Sequence, residues 1–334
     1  MLEFDMRRIL HPVVLLLLIF LTACYSNTVK NLNEKSSDSA ASAISILEQK
    51  EYQIDERFLI SNLGPGLPSK HNLWIALITD HPPYQEVLER SIIPQNYHIF
   101  SDEYGNQIAE FDLVDLPAGN SISVVISYRL KVNRVAYDLS DCEGELPSGY
   151  TNPDLHIESN NPQIKELSEQ LTQGLSDVCS KVRAFYDYVG NNLVYSYNRN
   201  DWGAQAALGE MGSDCTEYAS LMIALCRASG IPARYLEGLV YLNEPTKDLA
   251  RREHAWLEVY LPQIGWTAMD PTMGRSSLSR DKYFASHSPD HIIVTRGRNP
   301  SALRGSSYYS HIYWPGDSTT IKIEEFTWLI TLLN

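Results

Sequence analysis

The sequence predicts an α+β fold, a β-sandwich followed by a unit of helices packed on antiparallel strands, and three patterns predict it. Across residues 51–132 apolar residues recur mostly at period two between turn clusters, beyond Pro162 the period becomes helical, and residues 254–270 read as a hairpin.

Tyr52, Ile54, Phe58 and Ile60 predict the first strand region, and residues 72–79, 91–100, 108–113 and 121–132 predict others. Gly64-Pro65-Gly66, Pro82-Pro83, Tyr104-Gly105-Asn106 and Pro117-Ala118-Gly119-Asn120 supply the turns. The last strand is the cleanest: Ile122, Val124, Ile126 and Tyr128 share one face. Short strands with such punctuation indicate an all-β sandwich over residues 46–140, a scaffold or a substrate-docking surface. Residues 141–160 collect Gly, Pro, Asn and acidic residues and read as a linker. Residues 161–334 then form the second domain. Residues 162–175 and 178–191 are its first helices, the second with Val178, Val182, Phe185 and Val189 as one stripe.

Ahead of both domains, Arg7 and Arg8 precede an apolar run from Val13 to Phe20 that ends in Leu21-Thr22-Ala23-Cys24. Positive, apolar and small residues in that order form an export signal, too short to span a bilayer comfortably. The tetrad resembles the bacterial lipoprotein box. Residues 1–24 are therefore expected to be a signal peptide with Cys24 lipidated, and residues 25–45, polar and nearly free of bulky apolar side chains, a flexible tether. That implies a chain anchored to a membrane through its N-terminal lipid, in the bacterial envelope. Tyr25 after the cysteine points to the outer membrane, facing the periplasm.

The net charge of -14 argues against a nucleic-acid partner. No cofactor is expected. A metal site could be assembled from His254, His287 and His291 with Asp270 or Asp290, but no pair has the spacing of a zinc protease or a zinc finger, so no metal is expected either. Cys142 and Cys179 are the pair to test for a disulfide, with two buried free thiols as the alternative.

The chemistry concentrates in three places. In Gly212-Ser213-Asp214-Cys215-Thr216-Glu217, Asp214 can cap a helix whose third residue, Glu217, reciprocates, which sets Cys215 in the first turn. There the helix pole favours thiolate over thiol, and a backbone N–H can receive an oxyanion. That requires the Asp214 carboxylate to turn back to the cap rather than approach the sulfur. A lone cysteine is more often a small buried hydrophobe, the reading that suits Cys226 on the same helix. His254 opens an alternating strand, with Ala255, Leu257, Val259 and Leu261 toward a core and His254 on the other face. The chain returns through Pro262-Gln263-Ile264-Gly265 to Asp270, which can lie beside His254 and orient its ring.

These blocks, extended to Cys226-Arg227-Ala228-Ser229-Gly230-Ile231-Pro232-Ala233-Arg234, His254-Ala255-Trp256-Leu257-Glu258-Val259 and Trp266-Thr267-Ala268-Met269-Asp270-Pro271-Thr272, resemble the bacterial transglutaminase-like domain, whose superfamily has a papain-like thiol core. The resemblance covers roughly residues 175–298. It implies Cys215 as nucleophile, His254 as general base and acid, and Asp270 as orienting carboxylate. Trp202 and Gln205 are candidates for an oxyanion partner or the cleft, against a packed indole and a surface amide. Tyr308, Tyr309, Tyr313 and Trp314 read as core cover more than as a cleft lining. The implied activity is amide acyl transfer on a protein or peptide, with hydrolysis favoured. The alternatives are glutamine-lysine crosslinking and a binding or structural lipoprotein without turnover. The oligomeric state is left open.

Overall fold

The computed structural model describes residues 43–197, 203–209, 212–243, 252–316 and 319–334. The export signal, Cys24, the tether as far as residue 42 and Trp202 lie outside the described residues. Among those described, no helix is long and apolar enough to cross a membrane.

Six strands open the fold: β1 (Ile44–Asn62), β2 (Lys70–Leu77), β3 (Gln85–Ile93), β4 (Tyr97–Ser101), β5 (Gln107–Asp112) and β6 (Ser121–Tyr137). The strand expected across residues 91–100 is two strands. Pro94 offers no N–H to a ladder, and on either side of it β3 pairs with β6 in one sheet while β4 pairs with β5 in the other. The alternating side chains of β1 and β6, among them Ile54, Phe58, Ile60, Val124, Ile126 and Tyr128, meet those of β2 and β5 in one buried cluster. Sheet on sheet is how two half-apolar surfaces leave water together.

Glu56 breaks that alternation. It takes the inward place between Ile54 and Phe58, is fully buried, and neither carboxylate oxygen has a hydrogen-bond partner among the described residues. Burial holds its carboxyl well above the usual carboxylate range. The folded chain therefore binds this proton more tightly than the unfolded chain. Stability falls as pH rises past the ordinary value of 4.5, until the folded-state value is reached. Glu56→Met should raise stability at pH 8 by about 2 kcal/mol and flatten the change between pH 5 and 8, as read by urea unfolding at both pH values.

The second unit begins at α1 (Pro162–Thr172) and α2 (Val178–Asn192), capped by Asn161 and Asp177, and continues through a short α3 (Ala204–Ala207) to α4 (Cys215–Ala228). Strands β7 (Ala233–Val240), β8 (Glu253–Leu261), β9 (Gly265–Met269) and β11 (His291–Arg296) form an antiparallel sheet in the order β11-β7-β8-β9, against which α4 packs. The architecture is the α+β arrangement expected, a β-sandwich ahead of helices on an antiparallel sheet.

The strand pairing divides the chain differently from the expected cut at residue 161. The short β10 (Ser286–His287) joins β6, β12 (Tyr309–Trp314) joins β2, and β13 (Ile321–Leu332) joins β1. The last part of the chain thus completes the sandwich, because its alternating apolar residues, Ile321, Trp328 and Ile330 among them, cover edges that β1 and β2 leave open. The stretch expected to be a linker is also packed. Cys142 is disulfide-bonded to Cys179 at the start of α2, and Asn152 O accepts from Arg227 at 2.8 Å.

Candidate active site

Helix α4 begins at Cys215 because Asp214 stops the extended chain before it. Asp214 Oδ1 accepts the Thr216 N–H at 3.0 Å and the Thr216 hydroxyl at 2.9 Å, and Glu217 Oε2 accepts the Asp214 N–H at 2.9 Å. This reciprocal cap is the one the sequence predicts. It turns the Asp214 carboxylate back on the first turn. Behind Cys215, the buried Tyr218, Leu221, Met222 and Leu225 lock the helix against the sheet. Gly230 at φ 73 ends it, with the Ile231 N–H donating to Cys226 O at 2.9 Å. Cys215 is half-buried and Cys226 fully buried.

The hairpin of β8 and β9 pairs Leu257 with Met269, so Asp270 emerges just past the end of β9. His254 Nε2 lies 2.8 Å from Asp270 Oδ2. The other oxygen, Oδ1, accepts the N–H groups of Thr272 and Met273 at 3.0 and 2.9 Å. The Asp270 backbone is anchored as well, its carbonyl accepting from the Tyr186 hydroxyl at 3.1 Å and its N–H donating to Tyr283 O at 3.0 Å. Cys215 lies near enough to His254 for its side chain to add to the upward pull on the imidazolium. His254 and Asp270, 16 residues apart in sequence, are thus hydrogen-bonded, with Cys215 at the head of the neighbouring helix.

Both faces of β8 are buried, including the face that presents the His254 imidazole. Trp256 and Glu258 sit inside with His254, since the Trp256 indole stacks on His254 at 5.8 Å and meets His291 edge-on at 5.0 Å. Glu258 is held by Arg234.

Burial alone would push the His254 imidazolium down, but the charge and hydrogen bond of Asp270, with a further contribution from Cys215, raise it to about 10. Burial likewise opposes ionisation of Asp270, and His254 and His291 together hold its carboxyl well below the usual range. The His254 contribution to stability is therefore complete below about pH 6.5 and lost as pH rises through about 10. That of Asp270 is complete above the ordinary carboxylate value and lost only in strong acid.

The sequence reading met His291 only within a disfavoured metal set. It lies at the head of β11, and its Nε2 is 2.9 Å from the same Asp270 Oδ2. One donor atom each from His254, Asp270 and His291 lies within 4.8 Å of the others. Both ring nitrogens concerned are engaged as hydrogen-bond partners of one carboxylate oxygen, so the arrangement present is a hydrogen-bonded cluster. The available signal was that a polar residue heading the buried run Ile292-Ile293-Val294 needs a partner.

Gln205 is exposed on α3, its backbone N–H donating to Glu158 at 3.1 Å. A cleft of about 630 Å³ runs from the start of α4 to the sandwich, lined by Thr216, Glu237, Glu253, Tyr308, Tyr309 and Phe326 among others. Thr216 follows Cys215 and Glu253 precedes His254, so the cleft adjoins the cluster. Tyr308 and Tyr309 pack on the sandwich core, as read from sequence, and also line the cleft.

Residues 165–271 match the model of the transglutaminase-like superfamily core. Over 166 residues the chain is 28% identical to the uncharacterized protein YebA of Bacillus subtilis, a match covering 44% of this chain and 21% of that one. Over 122 residues it is 29% identical to a protein-glutamine gamma-glutamyltransferase of Pseudomonas aeruginosa, covering 34% of this chain and 18% of that one. The chain spans about a fifth of the length of these two curated relatives. The crystal structure of a candidate cysteine protease from Cytophaga hutchinsonii shares the fold, with a TM-score of 0.60 at 19% identity over 87% of this chain and 93% of that one. Over residues 165–271 the chain is thus distantly similar to the transglutaminase-like superfamily core.

Proposed function

We propose that the protein is a thiol-dependent amide acyl-transfer enzyme of the bacterial envelope that hydrolyses peptide or other amide bonds. The observation that carries this reading is the buried His254 imidazole, hydrogen-bonded to Asp270 and raised further by the nearby Cys215 side chain. Cys215 as thiolate attacks the carbonyl carbon, forming a C–S bond. The Thr216 and Glu217 N–H groups are used by the cap, which leaves the Cys215 N–H as the backbone donor for the oxyanion. Collapse breaks the C–N bond as the His254 imidazolium gives its proton to the leaving amine. Water, deprotonated by His254, then releases the acid and regenerates the thiol. Asp270 holds the ring in the tautomer that these transfers require. The export signal and Cys24 would hold the catalytic unit at the membrane on its tether, as expected for the periplasmic face of the outer membrane.

Crosslinking is the second reading, favoured by the resemblance to the Pseudomonas gamma-glutamyltransferase over 122 residues. It differs only in the group that resolves the acyl-enzyme, a lysine amine instead of water.

The test is iodoacetamide labelling of the chain at pH 6, with the modified residue located by mass spectrometry. Rapid modification of Cys215, well below the ordinary thiol pKa of about 8.5, and its loss in His254→Ala are the expected results. Modification no faster than that of a free thiol would leave a non-catalytic envelope protein as the better reading. A peptide mixture with and without added amine separates hydrolysis from transfer by its products, a new carboxylate or a new secondary amide.

A further inference from the structure

His291 lies outside the three side chains assigned to the reaction, yet it is bound to one of them. Its Nε2 and that of His254 approach the same Asp270 oxygen at 2.9 and 2.8 Å. On the other oxygen, two backbone N–H groups fix one end of the carboxylate. Without His291, the Oδ2 end would be held only by the ring it has to orient. His291 is buried, and its Nδ1 has no partner among the described residues. Burial outweighs the pull of Asp270 and holds its imidazolium below the usual histidine range, so the ring is neutral with its single proton on Nε2.

The placement of His291 is itself determined by the sandwich. Gln85 of β3 donates to Ile293 O at 2.9 Å and accepts from Ile293 N at 2.8 Å, both within β11. His287 donates through Nδ1 to Asn133 O of β6 at 3.0 Å, where β10 joins that strand. On the other side β11 pairs with β7, His291 opposite Val240. The groups facing His291 are His254, His287, Tyr283, Trp256, Asp270 and Asp290. Those facing His254 are Asp270, Cys215, His291 and Trp256.

We propose that His291 is a positioning residue that fixes the free end of the Asp270 carboxylate and moderates its hold on the His254 proton, and that the β-sandwich serves the site by placing His291. This rests on the thiol reading above. A neutral donor on Oδ2 draws charge from the carboxylate, so the imidazolium is stabilised enough to form beside the thiol and still parts with its proton to a leaving amine. The two histidines divide the work: one moves the proton, the other steadies the group that orients it.

The test follows ¹⁵N-labelled histidines by NMR from pH 5 to 11 in the full chain, in His291→Phe, which removes the donor, and in His291→Gln, which keeps an N–H at similar reach. In His291→Phe the His254 titration should move upward by about one pH unit, and His291→Gln should return it to within a third of a unit. A role in packing alone would lower the melting temperature and leave the titration in place. A His254 titration that stays put or falls in His291→Phe, while Cys215 of the parent chain labels rapidly at pH 6, overturns the role of His291 and leaves the thiol reading intact. Slow labelling in the parent chain removes both. If the phenylalanine variant does not fold, the parent chain still decides, because its His291 must show a neutral, Nε2-protonated ring from pH 7 to 8. A cationic ring there ends the proposal.

Discussion

Cys215→Ala is expected to lower amide turnover by about 10⁴-fold or more while leaving the fold in place. The cap of α4 uses the Asp214 and Glu217 carboxylates with the Asp214 and Thr216 N–H groups and the Thr216 hydroxyl, none of which belongs to the cysteine side chain. Cys215 is also only half-buried, so its sulfur fills little of the core. The melting temperature should therefore move by less than about 2 °C. Among the described residues the other free thiol cannot stand in for the lost sulfur: Cys226 is fully buried, and burial pushes its thiol far above the usual range. His254→Ala should cost about as much, and the double variant no more than either alone, because nucleophile and base act as one unit. Asp270→Asn should lose about 10³- to 10⁴-fold through the wrong imidazole tautomer. All four are measured on whichever peptides the parent chain cleaves. Residual turnover within tenfold of the parent in Cys215→Ala would place the nucleophile elsewhere.

What the sequence disclosed about this site is what lies close along the chain. The cap at Asp214 and Glu217 is a matter of three-residue spacing, and the hairpin that returns Asp270 to His254 is set by alternation and one turn. Such features are governed by local chemistry and can be read from a short window. His291 reaches Asp270 across 21 residues, on a strand whose place depends on Gln85 more than 200 residues earlier. No window contains that relation. The same holds for β12 and β13, whose alternation was visible but whose partners, β2 and β1, stand at the other end of the chain. Alternation names a face without naming what covers it. In β8 it sets His254 apart from the core face without showing that Trp256 and Glu258 bury the second face as well. Glu56 was legible in a negative sense, since the run Tyr52, Ile54, Phe58, Ile60 skips the position where a carboxyl lies in the core.

Gly238→Ala is the second large effect expected, a loss of about 3 kcal/mol of stability together with slower labelling of Cys215. Gly238 pairs with His254 on one side and with Ile293 on the other, in the centre of the β11-β7-β8 run. A Cβ there would lie 1.9 Å from Ile292 O and 3.0 Å from the far edge of the Trp256 indole. The first contact is with backbone and cannot be relieved by a rotamer change, so β11 would have to move away from β7. The second would push the indole from the space in which it stacks on His254 and meets His291. Glycine at this position thus lets two strands and one indole close around the imidazole cluster, which links the stability of the sheet to the geometry of the site. Gly265→Ala is the control. It sits at φ 95 at the start of β9, and a Cβ there meets nothing within 4 Å, so it should cost only about 1 kcal/mol of backbone strain and leave labelling unchanged. Urea unfolding and iodoacetamide kinetics on the two variants provide the comparison. Equal losses in both, or a Gly238→Ala chain that keeps its parent stability, would mean that the sheet has slack at its centre and that the imidazole cluster does not depend on this close approach.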